Sequence, residues 1–337
     1  MQTASRAHRK YFPWLAVVGS TVLALVVVET GLRLSGTTIL PTLSTIEFGW
    51  PDPQVIRDAY LEDPQLFWVP KSYPSALRNV RRDLPLIVYM GDSCTEFGGY
   101  PKMFAERLPE KFPGKPVGHF TAGVGGWSSS QGLRQFRRDL IPLGPRVATV
   151  YYGWNDHWTG FGLSDAEAAQ VADATSPLGS LRVGQLLFFA RLQLRHLLAR
   201  DRPNRVSEQE FHDNLAAIAE LGKQHGIVTV LLTAPTSHQK GEEPKYLAER
   251  WLRDLEELVP LHQAYATQVR RVAAEEDAPL CDLAADFAAL PRADLVRRYF
   301  QVDGIHLSEE GNRRIAELLF ACFEREPRLT RALGLTD

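Results

Sequence analysis

Apolar positions along this chain follow two different patterns. Residues 11–28, YFPWLAVVGSTVLALVVV, run for eighteen positions without a charge and without a polar face. At 1.5 Å per residue a helix of that length covers about 27 Å, close to the roughly 30 Å of a bilayer's hydrocarbon core. Beyond residue 84 the apolar residues come instead in short runs between longer amphipathic stretches. Leu86–Met90 reads as a buried strand stopped by Gly91-Asp92-Ser93, Tyr100–Leu108 as a helix, and Pro116–Phe120 as a second strand. A helix over Ser129–Arg138 and a strand over Val147–Tyr152 follow, then a helix over Val206–Gly226 ended by its glycine and a strand over Ile227–Thr233. A helical region with a break at Pro260 runs to about Ala274, Leu280–Leu283 is a short fifth strand, and Ser308 opens a last helix. Ile315, Leu318, Leu319, Cys322 and Phe323 give that helix one apolar face. Five strands alternating with helices predict an α/β fold, a five-stranded parallel sheet covered on both faces, preceded by one N-terminal transmembrane helix.

The flanks of the apolar segment set its expected orientation. Arg6, His8, Arg9 and Lys10 precede it, whereas the other side opens with Glu29 and only Arg33. The positive-inside rule then places residues 1–10 in the cytoplasm, makes 11–28 a signal anchor, and puts the remainder outside the cytoplasm, in the periplasm of a Gram-negative cell. The rival is a cleaved signal peptide, but the stretch is long for an h-region and ETGLRLSGTTIL lacks an A-x-A site. Residues 29–83, rich in proline and aromatics, read as a linker and edge-packing segment with Trp50, Phe67 and Trp68 as anchors. A globular domain over 84–325 and a C-terminal tail over 326–337 complete the chain. Within the domain, 157–206 interrupt the alternation as a helical insert or lid. Its Leu181–Arg200 segment spaces Val183, Leu187, Leu194 and Leu198 helically, with Arg182, Arg191, Arg195 and Arg200 between them. A basic amphipathic helix suits a membrane surface or a lid; a helix packed on the core with solvated arginines is the simpler expectation.

Composition narrows the chemistry. The 337 residues carry a formal net charge of −2, so no basic field recommends nucleic acid. Cys94, Cys281 and Cys322 lack the spacing of a zinc site, and neither metal nor cofactor is expected. Cys281 and Cys322 read most simply as small buried side chains, with a disulfide between them as the alternative in an oxidising compartment. Cys94 is a rival nucleophile beside Ser93.

Ser93 lies on the turn leaving a strand's carboxyl end, where open α/β sheets collect ligands. Its other reading is a helix N-cap. A nucleophilic hydroxyl needs a base, an orienting acceptor for that base, and donors for the developing oxyanion. Of nine histidines only His306 has an aspartate three residues before it, Asp303, in the loop ahead of the last helix. Donors are available from the Ser93 backbone N–H, from the glycine loop Thr121-Ala-Gly-Val-Gly-Gly126, and from the Asn155 amide in Gly153-Trp154-Asn155-Asp156. For Asn155-Asp156 the competing reading is a turn or helix cap.

GDS, a glycine loop, GxND and DxxH in this order resemble the SGNH, or GDSL-type, hydrolase family, and the anchor followed by Glu29-Thr-Gly-Leu-Arg33 resembles its membrane-tethered bacterial members. The resemblance implies a flavodoxin-like sandwich without a cofactor, Ser93 as nucleophile, His306 as base and then acid, and Asp303 as its orienter. Gly126 and Asn155 would complete the oxyanion hole with the Ser93 N–H. Thr121 stands where members often carry asparagine, and the GxSxG elbow of α/β-hydrolases is absent. The implied activity is hydrolysis of an O-acylated, perhaps O-acetylated, envelope or secreted glycan through an acyl-enzyme. An acyltransferase to a sugar hydroxyl, a lysophospholipase or thioesterase, and a non-catalytic scaffold or glycan-binding module are the alternatives.

Overall fold

The computed structural model describes residues 4–36, 58–159, 163–172, 180–199, 203–248 and 252–336; Trp50 and Arg200 lie outside the described residues. Helix α1, Ala4–Leu34, contains a 22-residue window, Pro13–Leu34, of mean hydropathy 2.1 with none of it buried in the protein. It is long and apolar enough to cross a membrane. An antiparallel ladder follows, β1 (Tyr60–Asp63) against β2 (Phe67–Pro70), then a short helix, α2 (Tyr73–Arg78).

The sheet that carries the fold has the order β4-β3-β5-β6-β7. Its strands are β3 (Leu86–Gly91), β4 (Gly118–Thr121), β5 (Val147–Tyr151), β6 (Val228–Leu232) and β7 (Leu280–Cys281). Every pairing is parallel, and β3 sits between β4 and β5 with Gly91 opposite Tyr151. Neighbouring residues of β3 point to opposite faces, so its continuous apolar run feeds two cores rather than one. Leu86, Val88 and Met90 join the aromatic ladder residues Phe67 and Trp68, with Phe211, Leu215 and Ile218 of α8 (Glu208–Gln224) and Val269 of α9 (Leu258–Glu275). Ile87 and Tyr89 face Tyr100 and Phe104 of α4 (Tyr100–Lys111), and Ile315, Leu319 and Phe323 of α11 (Glu309–Arg325). The fold is an α/β sandwich on a five-stranded parallel sheet. Helix α10 (Leu283–Ala288) follows β7, and the end of the chain belongs to the same packing, since Leu329 within helix α12 (Pro327–Ala332) and Leu333 just after it are buried.

Three expectations change. Pro260 does not break a helix: it sits in the first turn of α9, where the N–H it lacks would have no intrahelical partner, and of the two 3₁₀ turns before it, Lys245–Leu247 stands apart while Leu255–Glu257 runs directly into α9. Cys281 and Cys322 are not separate buried thiols but a disulfide, because β7 lies directly under α11 and brings their Cα atoms to 5.9 Å. The helix of the insert, α7 (Arg182–Ala199), is not packed on the main core. It buries Gln185, Leu192 and His196 against a small separate cluster with Leu163 and Val171, and turns most of its leucines outward. The excursion that contains α7 and α6 (Asp165–Ala172) is pinched at its base. Thr159 bridges Asn204, the Arg205 N–H donates to Trp158 O at 2.8 Å, and the Val206 N–H donates to Asp156 O at 3.0 Å.

Gly132, on α5 (Ser129–Gln135), shows how closely the layers meet: a Cβ there would lie 2.5 Å from the Tyr152 ring. Gly132→Ala is expected to destabilise the fold by about 1–3 kcal/mol, as overpacking of a filled core does, read as a lowered midpoint in chemical denaturation.

Candidate active site

The turn after β3 is fixed by sterics and by one side chain. At Gly91 a Cβ would meet Thr95 Oγ1 at 2.1 Å and Tyr151 O at 2.8 Å. Only glycine lets the chain turn directly from the strand into the one-turn helix α3, Ser93–Glu96. Asp92 caps that helix, its Oδ1 accepting the Cys94 N–H at 2.9 Å. Capping is therefore done by Asp92, and the hydroxyl of Ser93 is left to other partners. It meets His306 Nε2 at 2.8 Å. On the far side of the ring, Nδ1 lies 2.5 Å from Asp303 Oδ2, while Asp303 Oδ1 accepts the N–H groups of Ile305 and His306, both at 2.9 Å. The three residues, 213 positions apart at their extremes, form one hydrogen-bonded chain.

The electrostatics favour a charged imidazole. Burial pulls the His306 pKa down, but the Asp303 hydrogen bond and the negative charges of Asp303 and Asp92 outweigh it, and the net shift is upward from 6.5. Burial likewise pushes Asp303 up, yet its bonds to His306 and to the Ile305 N–H hold it below the ordinary carboxylate value. Asp92 has only partial compensation, so desolvation lifts it to about 6. Cys94 is buried, and that burial pushes its thiol well above the usual range. The thiolate is the nucleophilic form, so this burial disfavours Cys94 as a nucleophile beside Ser93.

Asn155 is 7% exposed, and its Nδ2 donates to Trp127 O at 3.1 Å and, at a longer 3.3 Å, to Asp92 Oδ2. Asp156 has the structural role expected of a turn and cap: it accepts the Gly153 N–H at 3.1 Å and the Ser129 N–H at the start of α5 at 2.8 Å. Burial raises Asp156 to about 7.

Gly126 is buried in the left-handed region, φ +77°. The backbone around it is held at three points, one on each of three successive peptides. The Gly125 N–H donates to Glu96 Oε2 at 2.5 Å, Gly125 O accepts from Trp68 Nε1 at 3.0 Å, and Gly126 O accepts from the Arg205 guanidinium at 2.6 Å. A trans peptide directs its C=O and N–H to opposite sides, so anchoring Gly125 O on Trp68 also sets the direction of the Gly126 N–H. Among the described residues no hydrogen bond uses the N–H of Gly126 or of Ser93.

Trp68, Glu96 and Arg205 have no local signature in the sequence. Trp68 was expected as an edge anchor, but its N–H reaches a loop 57 residues on. Arg205, 2% exposed, also pairs with Asp165 and with the Gln131 side-chain oxygen, and it closes the neck of the insert. His238, after β6, donates to Asp303 O at 2.8 Å and thereby braces the loop that bears Asp303.

A sheet of this order with a serine, an imidazole and a carboxylate in line outside its carboxyl edge defines a class of α/β protein suited to acyl-group chemistry. The comparison of the sequence with family models narrows the class. Residues 89–314 match the model of the GDSL-like lipase/acylhydrolase family, and the chain belongs to that family. It is a hydrolase acting on ester bonds. Among solved structures it is similar to a lipase/acylhydrolase from Enterococcus faecalis, at 16% identity over 72% of this chain and 96% of that one, TM-score 0.47. It is also similar to an acetyl xylan esterase (19% identity, 70% and 98%, TM-score 0.46). A GDSL-like lipase from Bacteroides thetaiotaomicron aligns at 18% identity over 76% and 97%, TM-score 0.49. No curated protein matches the chain.

In ring-proton NMR titrations His306 should titrate above 6.5, whereas buried His262 should stay neutral down to about 4. Asp303→Asn should move the His306 midpoint down; a midpoint that does not move would show that Asp303 does not set it.

Proposed function

We propose that this protein is a membrane-anchored serine ester hydrolase working through an acyl-enzyme, with Ser93 as nucleophile. The observation that carries the reading is the unbroken chain Ser93 Oγ, His306, Asp303; the N–H groups of Ser93 and Gly126 make no hydrogen bond among the described residues. His306 Nε2 takes the hydroxyl proton as Ser93 Oγ attacks the ester carbonyl carbon. Asp303 holds the opposite N–H and stabilises the imidazolium. The carbonyl oxygen, now carrying the negative charge, meets the N–H groups of Ser93 and Gly126. It also draws in the Asn155 amide hydrogen that rests at 3.3 Å on Asp92 in the free protein. His306 returns its proton to the leaving alcohol oxygen, and a water deprotonated by the same imidazole releases the acid from Ser93.

Trp68, Glu96 and Arg205 are positioning residues in this scheme: they touch neither substrate nor nucleophile, but hold the Gly126 N–H in a fixed direction before the oxyanion forms. Preorganised donors of this kind need no rearrangement at the moment of reaction.

The site is proposed to work outside the cytoplasm. Supporting this are α1, with its basic N-terminal flank, and the Cys281–Cys322 disulfide, a bond that persists in oxidising compartments. A domain tethered there meets acylated envelope polymers, so the proposed substrate is an O-acylated glycan, with O-acetyl esters the first to try.

On p-nitrophenyl acetate, Ser93→Ala and His306→Ala should each lower kcat by about 10⁴-fold or more, and wild-type activity in either variant would refute the mechanism. Since the imidazole must be neutral to accept the proton, kcat/KM should fall as pH drops through the His306 pKa, with an acid limb centred above 6.5. Trp68→Phe keeps a ring but deletes the indole N–H. It should lower kcat about tenfold at nearly constant KM, less than the roughly 10²–10³-fold of deleting a direct oxyanion donor; a change in KM alone would assign Trp68 to substrate binding instead.

A further inference from the structure

Among the described residues of the insert, the outward face of α7 is the largest feature that the chemistry does not use. Leu186, Leu187, Ala190, Leu194, Leu197 and Leu198 are all exposed, with Leu197 at 74% and Leu198 at 76%. At 100° per residue they fall within one sector about 120° wide, opposite the buried Gln185, Leu192 and His196. Arginines border the stripe on both edges, Arg182 on one and Arg191 and Arg195 on the other, and the helix has no acidic residue. Arg195 pairs with Glu167 of α6.

The position of this helix identifies what covers it. Its first turn is tied to the end of α1 that leaves the apolar stretch. Glu29 Oε2 accepts the Val183 N–H at 2.9 Å, and Arg33, paired with Glu29 at 2.6 Å, donates to Ser180 O at 2.9 Å. Glu29 and Arg33 are the first charges after eighteen uncharged positions, so they mark the level at which α1 emerges from the hydrocarbon. A leucine stripe that begins at that level, with arginines at its edges and no carboxylate, has the composition of an interfacial helix. Arginine stems lie along apolar surface while the guanidinium groups reach the phosphate layer.

We infer that α7 lies in the outer interface of the same membrane that α1 crosses. Its leucine stripe enters the acyl boundary, and Arg182 and Arg191 face anionic lipid phosphates. This inference rests on the reading of α1 as an anchor. The protein is then held at two points, and the catalytic domain cannot swing freely about α1.

Cys94 is buried and Cys281 and Cys322 are bonded to each other, so a cysteine added to the full chain is the one that labels. Leu187→Cys, Leu194→Cys and Leu198→Cys would each be labelled with an environment-sensitive fluorophore in phosphatidylethanolamine/phosphatidylglycerol vesicles. Val22→Cys in α1 and Lys102→Cys on α4 are the references, and hydrolysis of a soluble acetyl ester checks folding. The α7 labels should lose most of their emission to lipids bearing a nitroxide near the headgroup and little to aqueous iodide, unlike the Lys102 label. Quenching by iodide as at Lys102 would overturn the inference, and so would shielding from both quenchers, which would mean that another protein surface covers α7. If the Val22 label were itself open to iodide, the anchor reading would fail; if Val22 alone were buried in lipid, the anchor would stand and the α7 inference would fall.

Discussion

Everything at the candidate site depends on how β3 stops. The strand is buried along its whole length, and at Gly91 neither Thr95 nor Tyr151 leaves room for a side chain. The backbone therefore passes from strand to helix without a loop, and Asp92 takes the cap. That placement has two consequences at once. The Cys94, Thr95 and Glu96 N–H groups are all taken up by Asp92, and the Ser93 hydroxyl is spared the capping bond that serines at such positions commonly make and meets His306 instead. The neighbours β4 and β5 then bring the glycine loop and Asn155 to the same edge, because parallel strands in register end at the same side of the sheet.

The charge environment follows from the same burial. Asp92, Glu96 and Asp156 are all desolvated enough for their carboxyl pKa values to rise, whereas Asp303 is held low by its partners. The one carboxylate that directly faces the imidazole thus stays ionised, while those that organise the backbone sit in drier surroundings. Negative potential is concentrated where an imidazolium forms, and this is what moves His306 upward against its own desolvation.

How much of this is legible in the sequence depends on distance along the chain. Strand and helix alternation is written in local periodicity, and Asp303 and His306 are separated by one short loop, so their partnership can be read from spacing. Ser93 can be placed because a strand ends beside it. Trp68 cannot be connected to Gly125 in the same way, since an indole N–H finds a carbonyl 57 residues away only after both have been packed. Arg205 is equally silent: an isolated arginine reads as a solvated surface group, yet here it is 2% exposed and bonded to Asp165, Gln131 and Gly126. The outward turn of the α7 leucines had a different obstacle. Periodicity shows that a helix has an apolar face, but not whether protein or some other apolar medium lies against it.

The narrow neck of the insert has an evolutionary side. With Thr159 bridged to Asn204, and Trp158 and Asp156 bonded to the next two residues, the excursion leaves and re-enters the domain at a single place. Closing a longer loop across such a neck costs little additional entropy, so the outer portion can be rewritten, extended or replaced while β5 and α8 keep their positions. Arg205 sets the limit of that freedom, because it stands inside the neck with its guanidinium on Gly126 O. A lineage could exchange the stretch beyond α6, residues 173 to 203, and change what the domain touches, yet the join itself, with Asp165 on Arg205 and Ala168 in the main core, would have to be inherited intact.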